Sequence, residues 1–289
     1  MKTTTLIVLT ITLFSSCRNK TELGKQIETT ESVKIKQGVK LYVLDGGSIL
    51  ANKLEIFSQD TTYTGQTKQM ADAYYVIAHP KGNLIWDAGL PENLVGQQPY
   101  TDPSGAFTVS RKDSLKNQLA SIGFKISDFK YIALSHLHFD HVGHANNFKN
   151  ATWLVQENEY NFIANDSIKV KNEDIYNSIK ELTNIKKLNG DFDVFGDGTV
   201  IIKTMPGHTI GHQVLYVEAG FDNPILLTGD LYHFEENRKN KGVPSFNHNV
   251  EQTLKSMTSF EAFAKEKNAE VIIQHSQKDF NRLQNLLKK

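Results

Sequence analysis

The sequence is poor in cysteine and has no excess of charge of either sign. Cys17 is the only cysteine among 289 residues, so the chain cannot form an internal disulfide and must rely on a hydrophobic core. Lysine and arginine together number 32, aspartate and glutamate together also number 32, and the formal net charge is zero. Because a general basic field is absent, we expect no nucleic-acid partner. The hydrophobic fraction of 39% and the charged fraction of 22% are those of an ordinary globular protein.

Long apolar runs are also missing, and the N-terminal one is short. Leu6–Phe14 follows the positively charged Lys2 and is too short to span a bilayer comfortably. This pattern is typical of a secretory signal peptide, which we assign to residues 1–17. The segment LFSSC resembles a bacterial lipoprotein cleavage box, in which Cys17 would be acylated and become the new N-terminus. A plain signal with an incidental cysteine is the alternative, and both predict export to the periplasm or cell surface.

The rest of the chain is predicted to contain one tether and one domain. Residues 18–35 are polar and indicate a tether, while no repeat or later change in composition divides residues 36–289. Short β-rich runs punctuate that domain and helical patterns lie between some of them, which indicates an α/β or α+β fold. The predicted strands are Lys40–Asp45, Ala73–Ala78, Asn83–Trp86, Lys130–Leu134, Thr152–Val155, Val200–Thr204, Gln213–Val217, Pro224–Leu227 and Ala269–Ile273.

Two helices can be placed from their apolar spacing and end signals. The first has apolar residues at positions i, i+4 and i+7, namely Leu115, Leu119 and Ile122. Gly123 is suited to end it. The second is predicted to begin near Asn249, with Gln252 three residues later as in a capping box. Its predicted apolar face contains Val250, Leu254, Met257 and Phe260.

Four apolar runs end directly in a residue type that binds metals. These residues are His136, His208, Asp230 and His275. In α/β sheets, ligands gather beyond the carboxyl ends of the strands. The four side chains are therefore expected to share one site.

Residues 135–144 read SHLHFDHVGH and supply more groups of the same kind. Positions i and i+2 of an extended chain point to the same side, so His136 and His138 can hold one cation together. His208 would complete three imidazoles on that ion. A second ion would be held by Asp140, His141 and His275, with Asp230 as the bridge. Zinc prefers these donors, and two metals roughly 3.5–4 Å apart are the usual arrangement for hydrolysis.

The segment HLHFDH matches the HxHxDH signature of the metallo-β-lactamase superfamily. The remaining motifs of that superfamily follow in order, as TMPGHTIGHQ around His208, LLTGDLY around Asp230 and IIQHS around His275, so the resemblance covers roughly residues 40–276. Within the superfamily, KLYVLDGGS, SHLHFDHVGH and PGHTIGHQ with Gln213 are most similar to the N-acyl-homoserine lactonases. The resemblance implies a four-layer αβ/βα sandwich with two Zn²⁺ at one edge; iron, manganese or cobalt could use the same donors.

The resemblance also implies a reaction, in which a metal-bridging hydroxide attacks the carbonyl of a lactone ring. One metal would polarise that carbonyl, the other would stabilise the departing alkoxide, and Asp140 would pass a proton to it. Many of these lactonases place a tyrosine three residues after the bridging aspartate, close to the substrate carbonyl. Here that position is His233, and Tyr232 comes one residue early. We expect His233 rather than Tyr232 to donate to the substrate, unless both merely line the pocket.

Several residues beside the motifs are expected to support the site. Asp87 resembles the strand-end aspartate of the family that steadies a ligand histidine. His144 and His212 fit no ligand position, so we expect them to support ligands or to pack. His79 and His248 are expected to be surface or packing residues.

Glycines and one loop should shape the surroundings of the site. Gly207 and Gly211 are expected to allow tight turns near the metals. The loop formed by residues 88–110 should overhang the site. Its apolar side chains would contact an acyl chain or simply pack: Phe107, Leu90 and Leu94.

Other functions compete with lactone hydrolysis. A β-lactamase is disfavoured because Asp230 is not its usual bridge and a late cysteine ligand is absent. Thioester hydrolases of the glyoxalase II type carry a further region, and 14 residues after His275 are too few for it. Organophosphate or aryl-ester hydrolysis stays open, and so does a non-enzymatic lipoprotein that binds a small ligand. The sequence is compatible with a homodimer as well as a monomer.

Overall fold

The β-rich runs form two sheets in the computed structural model, which describes residues 38–286. The first sheet contains β1 (Lys40–Ala51), β2 (Lys68–Ala78), β3 (Asn83–Trp86), β4 (Tyr100–Thr101), β5 (Phe107–Ser110), β6 (Phe129–Ala133), β7 (Thr152–Gln156) and β8 (Ile185–Leu188), in the order β4-β5-β1-β2-β3-β6-β7-β8. The second contains β9 (Phe192–Asp193), β10 (Val200–Thr204), β11 (Gln213–Val217), β12 (Ile225–Leu227) and β13 (Glu270–Ile272), in the order β13-β12-β11-β10-β9. The predicted signal peptide and tether, residues 1–35, lie outside the described residues and stay predictions.

Helices lie on the outer faces of both sheets, and the last helix instead packs Leu283 into the cluster between the sheets. They are α1 (Leu115–Ser121), α2 (Glu157–Ile163), α3 (Asp166–Lys171), α4 (Glu173–Ile179), α5 (Glu235–Asn240), α6 (Val250–Glu266) and α7 (Gln277–Leu286). Successive residues of a strand point to opposite faces. In β2, Tyr75 and Ile77 pack between the sheets, whereas Tyr74 and Val76 pack outwards in a cluster that includes Leu115 of α1.

The second sheet is layered in the same way. Leu215 of β11 packs between the sheets, while its neighbours Val214 and Tyr216 pack against Met257 and Phe260 of α6. The order of layers is thus helix, sheet, sheet, helix. The predicted four-layer αβ/βα sandwich is confirmed. Within residues 38–286, no helix is both long and apolar enough to cross a membrane.

The predicted strand bounds need correction where tertiary pairing overrides the local sequence. β1 does not end at Asp45 but continues to Ala51, because a register shift between Asp45 and Gly47 absorbs the glycine pair as an irregularity of the strand. β4, β5, β8 and β9 were not predicted. They are short and lie at or near sheet edges, where pairing with a neighbour rather than an apolar pattern produces the strand.

The predicted start of α6 is confirmed, but half of its predicted apolar face is wrong. The Asn249 side chain accepts a hydrogen bond from the Gln252 backbone N–H at 2.9 Å and caps the helix. Val250 and Leu254 are 36% and 38% exposed, whereas Ser256 is buried. A hydrogen bond explains the burial of Ser256: its hydroxyl donates to the Pro206 carbonyl at 2.6 Å. This face of the helix therefore lies against the loop that carries His208.

Candidate metal centre

The strand ends bring all the predicted ligands together. β6 leads to His136, β10 to His208, β12 to Asp230 and β13 to His275. Their donor atoms form two groups, in each of which the atoms lie within 4.8 Å of one another. The first group is His136, His138, His208 and Asp230, and the second is Asp140, His141 and His275.

The first group has the spacing of a coordination shell. His208 Nε2 lies 3.2 Å from His136 Nε2 and 3.1 Å from His138 Nδ1. Tetrahedral Zn–N bonds of about 2.0–2.1 Å place neighbouring ligand nitrogens roughly 3.3 Å apart. The three imidazoles therefore fit a single ion of this size.

The two oxygens of Asp230 face different groups. Oδ2 lies 3.5 Å from both His136 Nε2 and His208 Nε2. Oδ1 lies 3.0 Å from His275 Nε2 and 3.3 Å from His141 Nε2. This is the geometry that a carboxylate bridging two ions requires. Asp140 completes the second group, with its oxygens 3.7–3.8 Å from the same two histidine nitrogens.

Hydrogen bonds on the outer side of the rings fix which nitrogen faces the centre. His275 Nδ1 lies 2.9 Å from the Ala71 carbonyl, to which it donates. His141 Nδ1 lies 3.1 Å from Asp87 Oδ2. An Nδ1–H that donates outwards leaves Nε2 as the lone-pair atom directed inwards. Asp87 thus occupies the supporting position expected for it, and its φ of 60° is an uncommon left-handed conformation at a strand end.

His208 and Asp230 are held by residues that lie further from the centre. His208 Nδ1 lies 2.9 Å from Asn247 Oδ1. His212 Nε2 accepts the backbone N–H of Asp230 at 3.0 Å, while its Nδ1 lies 3.0 Å from the Met205 carbonyl. Burial lowers the pKa of His212 to about 4, which keeps the ring neutral in this role. His212 therefore supports the backbone of the bridging aspartate.

The other histidines lie away from the two groups. His144 Nδ1 lies 2.6 Å from Glu92 Oε2 and so links the motif to the loop of residues 88–110. His79 stacks on Phe195 with ring centroids 3.8 Å apart, as expected of a packing residue. His248 is exposed, and its backbone N–H donates to the His208 carbonyl at 3.0 Å.

Burial and charge prepare the groups for cations. Burial, aided by neighbouring histidines, lowers the pKa of His136 and of His208 well below the ordinary value, so these rings are neutral and able to ligate. Burial alone would raise the pKa of Asp230, but His141, His233 and His275 hold it well below the ordinary value. Although burial opposes it, the nearby carboxylates, above all Asp230, raise the pKa of His141 well above its ordinary value and that of His275 to about 9. Neutral imidazoles thus surround one side of Asp230 and proton-binding imidazoles the other, where a cation would take the place of the protons.

A cavity of about 210 Å³ opens onto these groups. Five side chains form its polar end: His138, Asp140, Asp230, His233 and His275. Its other walls are apolar, formed by Ile49, Phe57, Met70, Phe107, Phe139 and Phe246. The aromatic walls come from separate segments of the chain, so no local signal in the sequence predicts that they meet.

The loop of residues 88–110 contributes only part of what was expected of it. Phe107 lines the cavity, as expected for a residue that contacts the substrate. Leu90 and Leu94 instead pack behind the wall, in the hydrophobic cluster that also contains Phe57. Their side chains stabilise the loop rather than face the cavity.

His233 and Tyr232 point in different directions. His233 lines the cavity, and its Nε2 lies 3.1 Å from Asp230 Oδ2. Tyr232 packs on Phe260 of α6, with ring centroids 5.7 Å apart, and burial together with Glu261 raises its pKa. The chain is extended at Tyr232, so the side chains of Tyr232 and His233 point to opposite sides. Tyr232 is therefore not a substrate-facing donor but a packing residue of the cluster that contains Phe260.

The two glycines beside His208 allow close packing. Gly207 has a φ of +134°, and a Cβ there would overlap the backbone of Thr253. A Cβ on Gly211 would lie 2.6 Å from Glu159 Cβ. Both positions therefore exclude a side chain, in agreement with the predicted tight turns.

Known proteins share these features. Residues 70–275 match the family model of the metallo-beta-lactamase superfamily. An N-acyl homoserine lactonase from Bacillus sp is 30% identical over 225 residues, which cover 75% of this chain and 85% of the relative. The N-acyl homoserine lactonase AttM from Rhizobium radiobacter is 28% identical over 256 residues, which cover 82% of this chain and 93% of AttM.

A solved structure agrees with these relatives. It is an N-acyl homoserine lactone hydrolase with the product N-hexanoyl-L-homoserine bound at the catalytic metal center. It is 25% identical, with a TM-score of 0.70 over 84% of this chain and 95% of that one. The resemblance inferred from the motifs is confirmed: the chain belongs to the metallo-beta-lactamase superfamily.

Proposed function

We propose that this protein is a dinuclear zinc hydrolase that opens the lactone ring of N-acyl homoserine lactones. The observation that carries the proposal is the position of Asp230, whose two oxygens face two separate groups of ligands beside an apolar cavity. Relatives that cover most of the chain are N-acyl homoserine lactonases. When bound, two divalent ions would lower the pKa of a water molecule between them and polarise a substrate carbonyl.

The donor set supports zinc and a count of two. The first group offers three imidazole nitrogens and the second offers two, and Asp140 and Asp230 add carboxylate oxygens. Zinc prefers such nitrogen and oxygen donors at low coordination number. Seven donor residues are more than a single tetrahedral ion can use, so the arrangement favours two ions.

The side chains of the cavity would bind and orient the substrate. The apolar wall that includes Phe57, Phe107 and Phe246 would hold the acyl chain and exclude water from the reacting carbonyl. His233 would donate a hydrogen bond to the substrate at the position where many relatives have a tyrosine. Asp140, at the polar end of the cavity, would pass a proton to the ring oxygen as the ester bond breaks.

The decisive experiment combines elemental analysis with a substrate panel. Metal-loaded protein is incubated with homoserine lactones of short and long acyl chains, and ring opening is followed by acid release. The proposal predicts about two zinc ions per chain and acid release from the lactones. Rapid turnover of a phosphotriester, aryl ester or β-lactam without lactone turnover would replace the proposed substrate. Bound metal without any turnover would favour a ligand-binding lipoprotein.

Export and lipid anchoring form a separate part of the proposal. The signal-like residues 1–17 and the box ending in Cys17 support acylation of that cysteine and attachment to a membrane at the periplasmic or cell-surface side. The wild-type protein should then partition into detergent, and the Cys17→Ser variant should not. Equal partition of the two would indicate a plain secretory signal. Sedimentation of the purified protein distinguishes a monomer from a homodimer.

A further inference from the structure

Glu159 is a buried carboxylate that belongs to neither group of predicted ligands. It lies in α2 and is 3% exposed. Its Oε1 accepts the backbone N–H of Leu137 at 3.2 Å, and its Oε2 accepts the backbone N–H of Gly211 at 2.7 Å. One side chain therefore holds two backbone segments that are distant in the sequence.

Both segments carry ligands of the first group. Leu137 lies between His136 and His138, whereas Gly211 follows His208 by three residues. The segment with Leu137 leaves β6 of the first sheet, and the segment with Gly211 joins β10 to β11 of the second sheet. Glu159 thus connects the ligand-bearing loops of the two sheets.

The contacts of Glu159 are close, and burying its carboxylate is energetically unfavourable, which argues against chance packing. A buried carboxylate loses the free energy of hydration unless hydrogen bonds replace it. Burial raises the pKa of Glu159, and the hydrogen bond from Gly211 opposes that shift. A Cβ on Gly211 would lie 2.8 Å from the Glu159 backbone nitrogen, so the loop and the helix pack too closely for any side chain at position 211.

We propose that Glu159 is a positioning residue for the ion held by His136, His138 and His208. By fixing both loops, it sets the 3.1–3.2 Å spacing of the three ligand nitrogens before an ion arrives. Preorganised ligands bind an ion more tightly, because less freedom is lost on binding. This inference rests on the proposed metal centre, but it concerns the affinity for one of the two ions and not the reaction.

The experiment compares Glu159→Gln with Glu157→Gln, which removes an exposed carboxylate from the same helix. Zn²⁺ affinities are measured by competition with a chromophoric chelator, and Tm is measured for the metal-free and the zinc-loaded protein. Glutamine keeps the shape but can accept at one position only. Glu159→Gln should lower the affinity for one of the two ions by roughly 10–100-fold. The rise in Tm on zinc loading should shrink, and Glu157→Gln should behave as the wild type.

Three results would overturn the inference, and they can be distinguished from one another. If Glu159→Gln lowers both Tm values equally and leaves both zinc affinities unchanged, Glu159 stabilises the fold without positioning ligands. If the wild-type protein binds no Zn²⁺, the proposed function fails and this inference fails with it. Glu159→Asp, which keeps the charge but shortens the reach, should lower the same affinity as Glu159→Gln; wild-type affinity there would also contradict the inference.

Discussion

Replacing Asp87 by asparagine tests how the protein holds the second group of ligands. Asp87 is 0% exposed; its Oδ1 accepts the Ser135 backbone N–H at 2.6 Å, and its Oδ2 lies 3.1 Å from His141 Nδ1. Asparagine keeps the shape and the bond to Ser135, and it tolerates the left-handed backbone of this position. It places an amide N–H₂ opposite the Nδ1–H of His141, however, and two donors cannot pair.

The imidazole must then change its protonation or its orientation. If the proton moves to Nε2, the nitrogen that lies 3.3 Å from Asp230 Oδ1 is lost as a ligand. A hydrogen bond to a charged group is worth about 1.5–3 kcal/mol. At about 1.4 kcal/mol per factor of ten, the affinity for one ion should fall by roughly 10- to 100-fold.

The assay is a zinc titration of wild type and Asp87→Asn against a chelator. In Asp87→Asn we expect a lower zinc affinity at the second group and wild-type affinity at the first group, because the first group does not contact Asp87. Asp193→Asn is the control, since Asp193 also accepts a backbone N–H, from Gly196 at 2.9 Å, but lies in β9 away from the site. Wild-type affinity for both ions in Asp87→Asn would refute the argument.

Four further variants test the bridge, the cavity and the packing. Asp230→Ala removes the carboxylate shared by both groups, so zinc content and activity should fall together; intact turnover would exclude a bridge. His233→Phe keeps a ring in the cavity without a donor and should lower kcat by about 10²-fold with zinc content unchanged. Tyr232→Phe should leave kcat unchanged, and equal losses in the two variants would contradict their assignment. Gly143→Ala places a Cβ against the backbone of Leu90 and should lower the free energy of unfolding by about 1–3 kcal/mol in denaturant titrations; an unchanged midpoint would show that the loop adjusts.

The sequence predicts which side chains the fold brings together at the candidate metal centre, because their signal is local. His136, His138, Asp140 and His141 lie within six residues, and an extended chain followed by a turn directs them to one place. The strand that leads to His208 can likewise be recognised in the sequence as an apolar run. These features need no knowledge of the tertiary structure.

The supporting residues could not be predicted in the same way. Glu159 lies in a short helix and contacts two loops only because both sheets meet beside it. Asn247, which lies 2.9 Å from His208 Nδ1, belongs to a loop without a motif. The face of α6 was misjudged for the same reason, since Ser256 is buried by a partner, the Pro206 carbonyl, that is 50 residues away. A contact that forms through folding leaves no periodic pattern in the sequence.

The two groups of ligands are supported by different residues, and this separation has a physical reason. Asp87 supports His141, Glu159 supports the loops of the first group, and His212 supports the backbone of Asp230. The nitrogens of His136 and His138 lie 3.1–3.2 Å from that of His208, where the lone pairs of neutral imidazoles repel one another, so this spacing must be held by contacts outside the centre. Because these supports do not depend on the ions, the spacing of the ligands is a property of the fold. A cation bound there would relieve this repulsion at ligands that are already in place, and preorganised ligands favour tight binding.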